Sequence, residues 1–170
     1  MNVERTAICG LLIAAIILVW ACDVQARPVP LMEHEARIAS CIRDAAAGKV
    51  WLERTLWGLR DQEAGWLGAQ IMNSNGTQDL GPFQVNSSWI PRLANLTGRS
   101  GREVRTWLSS DLCFNVQAAR WIFLSGLTAT GDYWKAVGMY HSPTHWWQRR
   151  YALSVARHLR IRFGDHVFGP

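Results

Sequence analysis

The chain has 170 residues, enough for one domain with a substantial hydrophobic core and short for two. With 18 lysines and arginines against 13 acidic residues it is basic, which suits an anionic polymer such as a bacterial wall or a nucleic acid. The sequence contains no zinc-ligand spacing, glycine-rich phosphate loop or nucleic-acid-binding motif, and its five histidines are scattered. The composition therefore argues against a nucleic-acid partner and against a metal or cofactor site.

The first segment of the chain is typical of a secretory signal. Residues 7–22 are sixteen positions without a charge, and Val24-Gln25-Ala26 ends in the small-residue style of a signal-peptidase site. We predict a signal peptide over residues 1–26 that is cleaved after Ala26. An uncleaved anchor, for which sixteen apolar residues are slightly short, and a lipoprotein attached at Cys22 are the alternatives.

Export would set the redox environment of the cysteines. Cys9 and Cys22 leave with the predicted signal, so Cys41 and Cys113 remain. Two cysteines in an oxidising compartment most simply form one disulfide, and two buried thiols are the alternative. Such a bond would close a loop of about seventy residues and stabilise the fold by roughly 4 kcal/mol at most.

The chain after the signal is expected to be mostly helical, with one polar region of turns at about residues 70–88. Residues 27–37 are a lead-in, 38–163 a single domain and 164–170 a tail. The expected fold class is mainly α, with a small β-hairpin or turn region. Apolar spacing and helix-breaking residues predict helices over residues 32–47, 50–63, 89–96, 102–108, 112–124, 133–140 and 149–163.

The second of these helices ends in a glutamate. Leu52, Leu56 and Leu59 recur at helical spacing, and four residues further the row reaches Glu63. Gly65 follows, where a helix C-terminus commonly has a glycine. A carboxyl group at the rim of the core would be partly desolvated, and its raised pKa would suit a general acid near neutral pH. From its position alone, a surface glutamate on the last turn is the alternative.

A second acid, Asp79, lies in the polar region that follows this helix. Residues 73–77 are rich in turn-forming types, and the amides Gln84 and Asn86 alternate with apolar residues in a short extended segment. An acid at a helix end, followed by a polar hairpin with a second acid and two amides, fits a sugar-cleaving site.

The run from Leu56 to Asn86 resembles the catalytic segment of the lytic transglycosylases, in the lysozyme-like superfamily. Their pattern is an apolar helix ending in Glu-Ser-Gly, then a turn, then a Gly-Leu-Met-Gln-type strand. The resemblance implies that Glu63 is the catalytic glutamate and that Gln84, with Asn86 beside it, lines the sugar site. Ala64 stands where the family usually has serine, and Pro82-Phe83 stand where it usually has Leu-Met.

Asp79-Leu80-Gly81 with Gln84-Val85-Asn86 is similar to the specialised members associated with conjugation, type IV pilus and type III or IV secretion systems. Those members also carry an early cysteine and a later Asp-Pro-Cys-x-Asn stretch, which here reads Asp111-Leu112-Cys113-Phe114-Asn115. The resemblance therefore also implies the Cys41–Cys113 disulfide.

Two later segments extend the resemblance. Residues 136–142 are similar to a helix that ends in a Tyr-Asn-Ala-Gly-like run, whose tyrosine faces the catalytic glutamate. Tyr140 matches that tyrosine, so its hydroxyl would hold the acid or the substrate, and His141 replaces the asparagine. From the residues alone, plain packing is the alternative for Tyr140. The run Tyr151-Ala152-x-x-Val155 resembles the family's closing helix.

The chain has ten tryptophans, whose faces can stack on sugar rings or fill a core. The four in helical patterns are predicted to be core: Trp51, Trp57, Trp107 and Trp121. The four that flank the motif segments are predicted to line the cleft: Trp66, Trp89, Trp146 and Trp147.

The resemblance implies a lysozyme-like α+β fold and a periplasmic monomer that acts on peptidoglycan glycan strands without a cofactor. It would cleave the β-1,4 bond between N-acetylmuramic acid and N-acetylglucosamine, leaving 1,6-anhydromuramyl ends. Glu63 would act first as acid and then as base, and Asp79 would stabilise positive charge at C1 or only shape the turn. Components of a secretion, pilus or conjugation machine are candidate partners. A hydrolytic muramidase of the same fold and a non-catalytic peptidoglycan-binding component are the alternatives.

Overall fold

The computed structural model describes residues 31–168, which form a helical domain with one small sheet. The three strands are β1 (Gln70–Met72), β2 (Gln78–Leu80) and β3 (Val85–Asn86). The fold class expected from the sequence, mainly α with a small β region, is confirmed. The helices are α1 (Leu31–Ala46), α2 (Val50–Glu63), α3 (Ile90–Thr97), α4 (Gly101–Ser110), α5 (Leu112–Thr130), α6 (Tyr133–His141) and α7 (His145–Phe163), with 3-10 turns at Ser87–Trp89 and Asp165–Phe168.

Helix bounds follow the predictions closely, with two exceptions. Helix α5 continues to Thr130, beyond the predicted end at residue 124, and stops where Gly131 adopts the left-handed conformation with φ 64°. Helix α7 begins at His145 rather than at residue 149, because the chain turns directly from Ser142-Pro143 into the helix. Both differences make the helix longer than predicted.

Helix α5 is central to the domain. It packs against α1, α4 and α6, and it buries residues around much of its circumference, as expected of a helix surrounded by others. Helix α7 packs against α2 and α6 on another side of the core. The largest fully buried side chains include Phe83 from the sheet region and Phe123 from α5, so the hairpin and the helices share one core.

The disulfide predicted between Cys41 and Cys113 is confirmed. Its two Cα atoms are 5.0 Å apart, and it spans 72 positions of sequence. The bond joins α1 to the first turn of α5. It therefore holds together two helices from distant parts of the chain.

The sheet is antiparallel with strand order β1-β2-β3. The register sets Asp79 between Ile71 on β1 and Asn86 on β3. The tight turn before β2 is closed by Asn75, whose side-chain oxygen accepts hydrogen bonds from the backbone N–H and the hydroxyl of Thr77. This small hairpin region matches the polar turn region expected from the sequence.

No helix among residues 31–168 has the length and apolarity that a membrane crossing requires. The predicted signal, residues 1–26, lies outside the described part of the chain, as does the start of the predicted lead-in. Helix α1 begins at Leu31, so the rest of that lead-in is helical.

Candidate active site

Glu63 is the last residue of α2, as predicted. The left-handed residue that ends the helix is Ala64, with φ 48°, and its N–H donates to Arg60 O at 2.9 Å. The sequence predicts Gly65 as the residue that ends the helix, but Gly65 instead allows a close approach to the hairpin. A Cβ on Gly65 would lie 2.4 Å from Gly81 O and 2.6 Å from Gln84 Nε2. Gly65 is therefore required where the end of α2 passes the hairpin.

Glu63 is half-buried, and its carboxyl group lies near Tyr151 and Asp79. Burial raises its pKa to about 7, and the charge of Asp79 adds to that increase. A hydrogen bond from the Tyr151 hydroxyl to Glu63 Oε1 acts in the opposite direction, because it favours the carboxylate. A carboxyl group with a pKa near 7 can both donate and accept a proton at neutral pH.

Tyr140 and Tyr151 have different hydroxyl partners. The Tyr140 hydroxyl donates to Phe83 O at 2.7 Å, so it binds the hairpin rather than the glutamate. The rings of the two tyrosines stack with centroids 6.4 Å apart. Burial raises the pKa of both phenols well above the ordinary value, so both remain protonated donors. Tyr140 is close enough for the charge of Glu63 to raise its pKa, but the hydrogen bond to Glu63 is made by Tyr151.

Asp79 and Asn86 face each other across β2 and β3. Asn86 Nδ2 donates to Asp79 Oδ1 at 2.8 Å and to Thr77 Oγ1 at 2.9 Å. Asn86 Oδ1 accepts from the Ser88 N–H at 3.0 Å. The side chain predicted to bind substrate therefore fixes the rotamer of Asp79 and begins the following 3-10 turn.

Gln84 lies at the tip of the turn between β2 and β3, in the left-handed conformation with φ 45°. Its Nε2 donates to Gly81 O at 2.7 Å, and its backbone N–H donates to the same oxygen at 3.0 Å. Since its amide is also the group that a Cβ on Gly65 would strike, Gln84 lies against the chain just after Glu63. The structure thus brings Gln84, Asp79 and Glu63 to one region.

The side chain of Asn115 holds the turn between β2 and β3 in place through hydrogen bonds. The sequence alone does not predict this role. Asn115 is fully buried, its Oδ1 accepts from the Phe83 N–H at 2.9 Å, and its Nδ2 donates to Leu80 O and to Leu108 O, each at 2.8 Å. The one sequence feature that could have indicated this role is the position of Asn115 at the end of the Asp111–Asn115 stretch. Buried amides with three partners are typical of residues that fix a loop.

The tryptophan predictions have different outcomes. Trp66, Trp146 and Trp147 are exposed, and their place in a cleft stays a prediction. Trp89, also predicted to line the cleft, instead packs edge-on against Trp121, with centroids 5.8 Å apart. The prediction that Trp51 belongs to the core is wrong, because 45% of its surface is exposed.

Within residues 31–168, no group of three or more histidine, cysteine or acidic side chains is arranged to hold a metal ion. No protein-family model matches the chain, and no curated protein matches it in a sequence comparison.

Proposed function

We propose that the protein is a peptidoglycan lytic transglycosylase with Glu63 as its catalytic acid and base. The observation that carries this proposal is the Glu63 carboxyl group, whose pKa burial raises to about 7 at the end of helix α2, with Asp79 near enough to raise it further. A glycosidase acid needs this protonated state at neutral pH, and an anionic neighbour is the partner that a cationic transition state needs.

In the proposed first step, protonated Glu63 donates its proton to the glycosidic oxygen between N-acetylmuramic acid and N-acetylglucosamine. The bond from that oxygen to C1 of the muramic acid breaks, and positive charge develops at C1 and the ring oxygen. The carboxylate of Asp79, oriented by Asn86, stabilises this charge. The Tyr151 hydroxyl holds the Glu63 carboxyl group in one orientation.

In the second step, the muramic 6-hydroxyl attacks C1 and Glu63, now a carboxylate, removes its proton. A 1,6-anhydro ring closes without water, and Glu63 returns to its protonated form. One residue can serve both steps because a pKa of about 7 leaves both protonation states accessible at neutral pH. Gln84 and the hairpin beneath it would contact the glycan next to the cleaved bond.

We further propose that the protein acts in the periplasm. A disulfide-bonded basic protein suits the periplasm, which is oxidising and contains the anionic wall polymer. There the enzyme would act on glycan strands as a monomer and open the wall locally for a secretion, pilus or conjugation apparatus.

A hydrolytic muramidase is the second candidate, and the position of Asp79 favours it. A second carboxylate close enough to affect the pKa of Glu63 could form or stabilise a glycosyl intermediate that water then attacks. The products distinguish the two reactions, because hydrolysis leaves reducing muramic ends and transglycosylation leaves anhydro ends.

The test is digestion of purified sacculi with residues 27–170, followed by mass spectrometry of the soluble fragments. The proposal expects anhydromuramyl ends from the native protein and none from Glu63→Gln. Glu53→Gln, the same change in the first turn of the same helix, is the matched control and should remain active. Reducing ends would make the protein a muramidase, and no release by the folded, oxidised native protein would favour the non-catalytic binding component.

A further inference from the structure

His141 lies against the tyrosine that binds Glu63. It is the last residue of α6, and its ring is parallel to the ring of Tyr151, with an interplanar angle of 3° and centroids 4.8 Å apart. Imidazole, phenol and carboxyl group therefore follow one another in a single series of contacts.

Exposure differs sharply along this series. Tyr151 is only 5% exposed, whereas His141 is an exposed residue. The imidazole therefore covers one face of the phenol. A flat ring at this distance excludes water from the phenol and restricts its rotation about the bonds that orient the hydroxyl.

The ionisable groups around His141 come from four elements. Glu63 on α2, Asp79 on β2, Tyr140 on α6 and Tyr151 on α7 form the cluster. Partial burial lowers the pKa of His141, and the charge of Asp79 opposes that decrease. His141 is therefore mainly neutral at neutral pH, and it covers Tyr151 without adding a positive charge that would favour the Glu63 carboxylate.

We propose that His141 is a positioning residue for Glu63: its flat neutral ring holds the Tyr151 phenol in place and keeps water from the hydrogen bond between Tyr151 and Glu63. The consequence for catalysis rests on the proposed function. The consequence for the carboxyl group does not, because its titration can be followed without substrate.

Removal of the ring should change the titration of Glu63 in a definite direction. Two effects oppose each other: water admitted beside Tyr151 lowers the pKa of Glu63 toward its ordinary value, and a looser Tyr151 hydrogen bond raises it. Desolvation is the larger of the two causes, so the pKa of Glu63 should fall. The protonated fraction above neutral pH would then fall by about tenfold for each pKa unit lost. Activity would fall at pH 7.5 and remain near the native level at pH 5.5.

The experiment is a carbon-detected NMR titration of the Glu63 carboxyl group in the native protein and in His141→Ala, His141→Asn and His141→Phe. We expect a lower midpoint in the alanine and asparagine variants and a native midpoint in the phenylalanine variant, which keeps a flat ring. His145→Ala removes an exposed imidazole at the start of α7 and is the matched control. Thermal unfolding of each variant would establish that it is folded.

A native midpoint in a folded alanine or asparagine variant would overturn the proposal. So would a phenylalanine variant that titrates like alanine, because the flat ring would then not be the cause. If the alanine variant does not fold, the asparagine and phenylalanine pair decides the question. A changed midpoint in a protein that never cleaves sacculi would support the positioning role and refute the proposed function, so the two failures are distinguishable.

Discussion

The Tyr151 hydroxyl on α7 donates a hydrogen bond to Glu63 Oε1 at the end of α2, across 88 positions of sequence. The approach of the two helices depends on Gly58, where a Cβ would lie 2.9 Å from the side chain of Leu159. A glycine in the middle of α2 thus permits the packing that brings the phenol to the carboxyl group. The site is a product of helix packing as well as of the hairpin.

Glu63→Gln should stabilise the protein at alkaline pH. The folded pKa of about 7 is above the ordinary 4.5, so Glu63 favours the folded state fully below pH 4.5, and that contribution is lost as the pH rises through 7. The loss is at most about 3 kcal/mol. A neutral glutamine does not carry this dependence, so the variant should melt higher than the native protein at pH 8.5 and nearly equally at pH 4.5. Glu53→Gln, measured by the same calorimetry, should not reproduce this difference.

Tyr151→Phe and Tyr140→Phe should have separable effects. The Tyr151 bond favours the Glu63 carboxylate, so its loss should raise the pKa of Glu63 and move the alkaline limb of the activity profile to higher pH, with a lower maximum rate. Tyr140→Phe removes a bond to Phe83 O and should cost about 1 kcal/mol of stability without moving that limb. The pH profiles of both variants on sacculi make the comparison. Identical shifts would contradict the assignment of the two hydroxyls.

The position of Glu63 can be predicted from the sequence because it depends only on local pattern. The apolar residues recur at helical spacing, and the last position of that row lies at the margin of the core. Helix α2 has the predicted bounds. The sequence pattern places Asp79 and Asn86 in a polar hairpin. It does not predict that they pair, because strand register depends on turn geometry.

Sequence spacing does not predict that Tyr151, rather than Tyr140, donates a hydrogen bond to Glu63. Both tyrosines are on helices, and which hydroxyl reaches Glu63 depends on how closely α6 and α7 pack. That distance is set by Gly138, where a Cβ would lie 2.6 Å from Gln148 Cβ. Asn115 was missed for a similar reason, since its three partners come from β2, α4 and the turn after β2.

Asn115→Ala should destabilise the domain and disorder the hairpin. The change leaves the Phe83 N–H and the carbonyls of Leu80 and Leu108 without their buried partner, at about 1–3 kcal/mol for each group left unsatisfied. Asn115→Asp keeps the acceptor but removes both donated bonds, so it should also destabilise. Urea unfolding of both variants measures the loss, and native stability in either would contradict the role assigned to Asn115.

Reduction of the disulfide should lower the stability of the domain. The bond closes a loop of 72 positions, for which chain-entropy models give about 4 kcal/mol. Cys41→Ser with Cys113→Ser should unfold at a lower urea concentration than the oxidised native protein, with a steeper slope because the unlinked unfolded chain is less compact. Reduced native protein should behave like the double variant. Equal stability of oxidised and reduced protein would show that the cross-link contributes little.

Trp147→Ala should weaken glycan binding, whereas Trp146→Ala should not. Trp147 lies four residues before Tyr151 on α7, so the two side chains share a face of the helix, one turn apart. Trp147 is 47% exposed, and the guanidinium of Arg150 lies 5.9 Å from its ring. Its indole can therefore stack on a sugar ring beside Glu63.

The adjacent Trp146 is 67% exposed but points about 100° around the helix, away from the face that carries Tyr151. It is the matched control, because its removal deletes the same side chain from the same turn. In a Glu63→Gln background, calorimetric titration with soluble glycan fragments should show up to about tenfold weaker binding for Trp147→Ala, as expected for the loss of one aromatic stack. Equal losses for both tryptophans would instead indicate that the whole start of α7 binds nonspecifically.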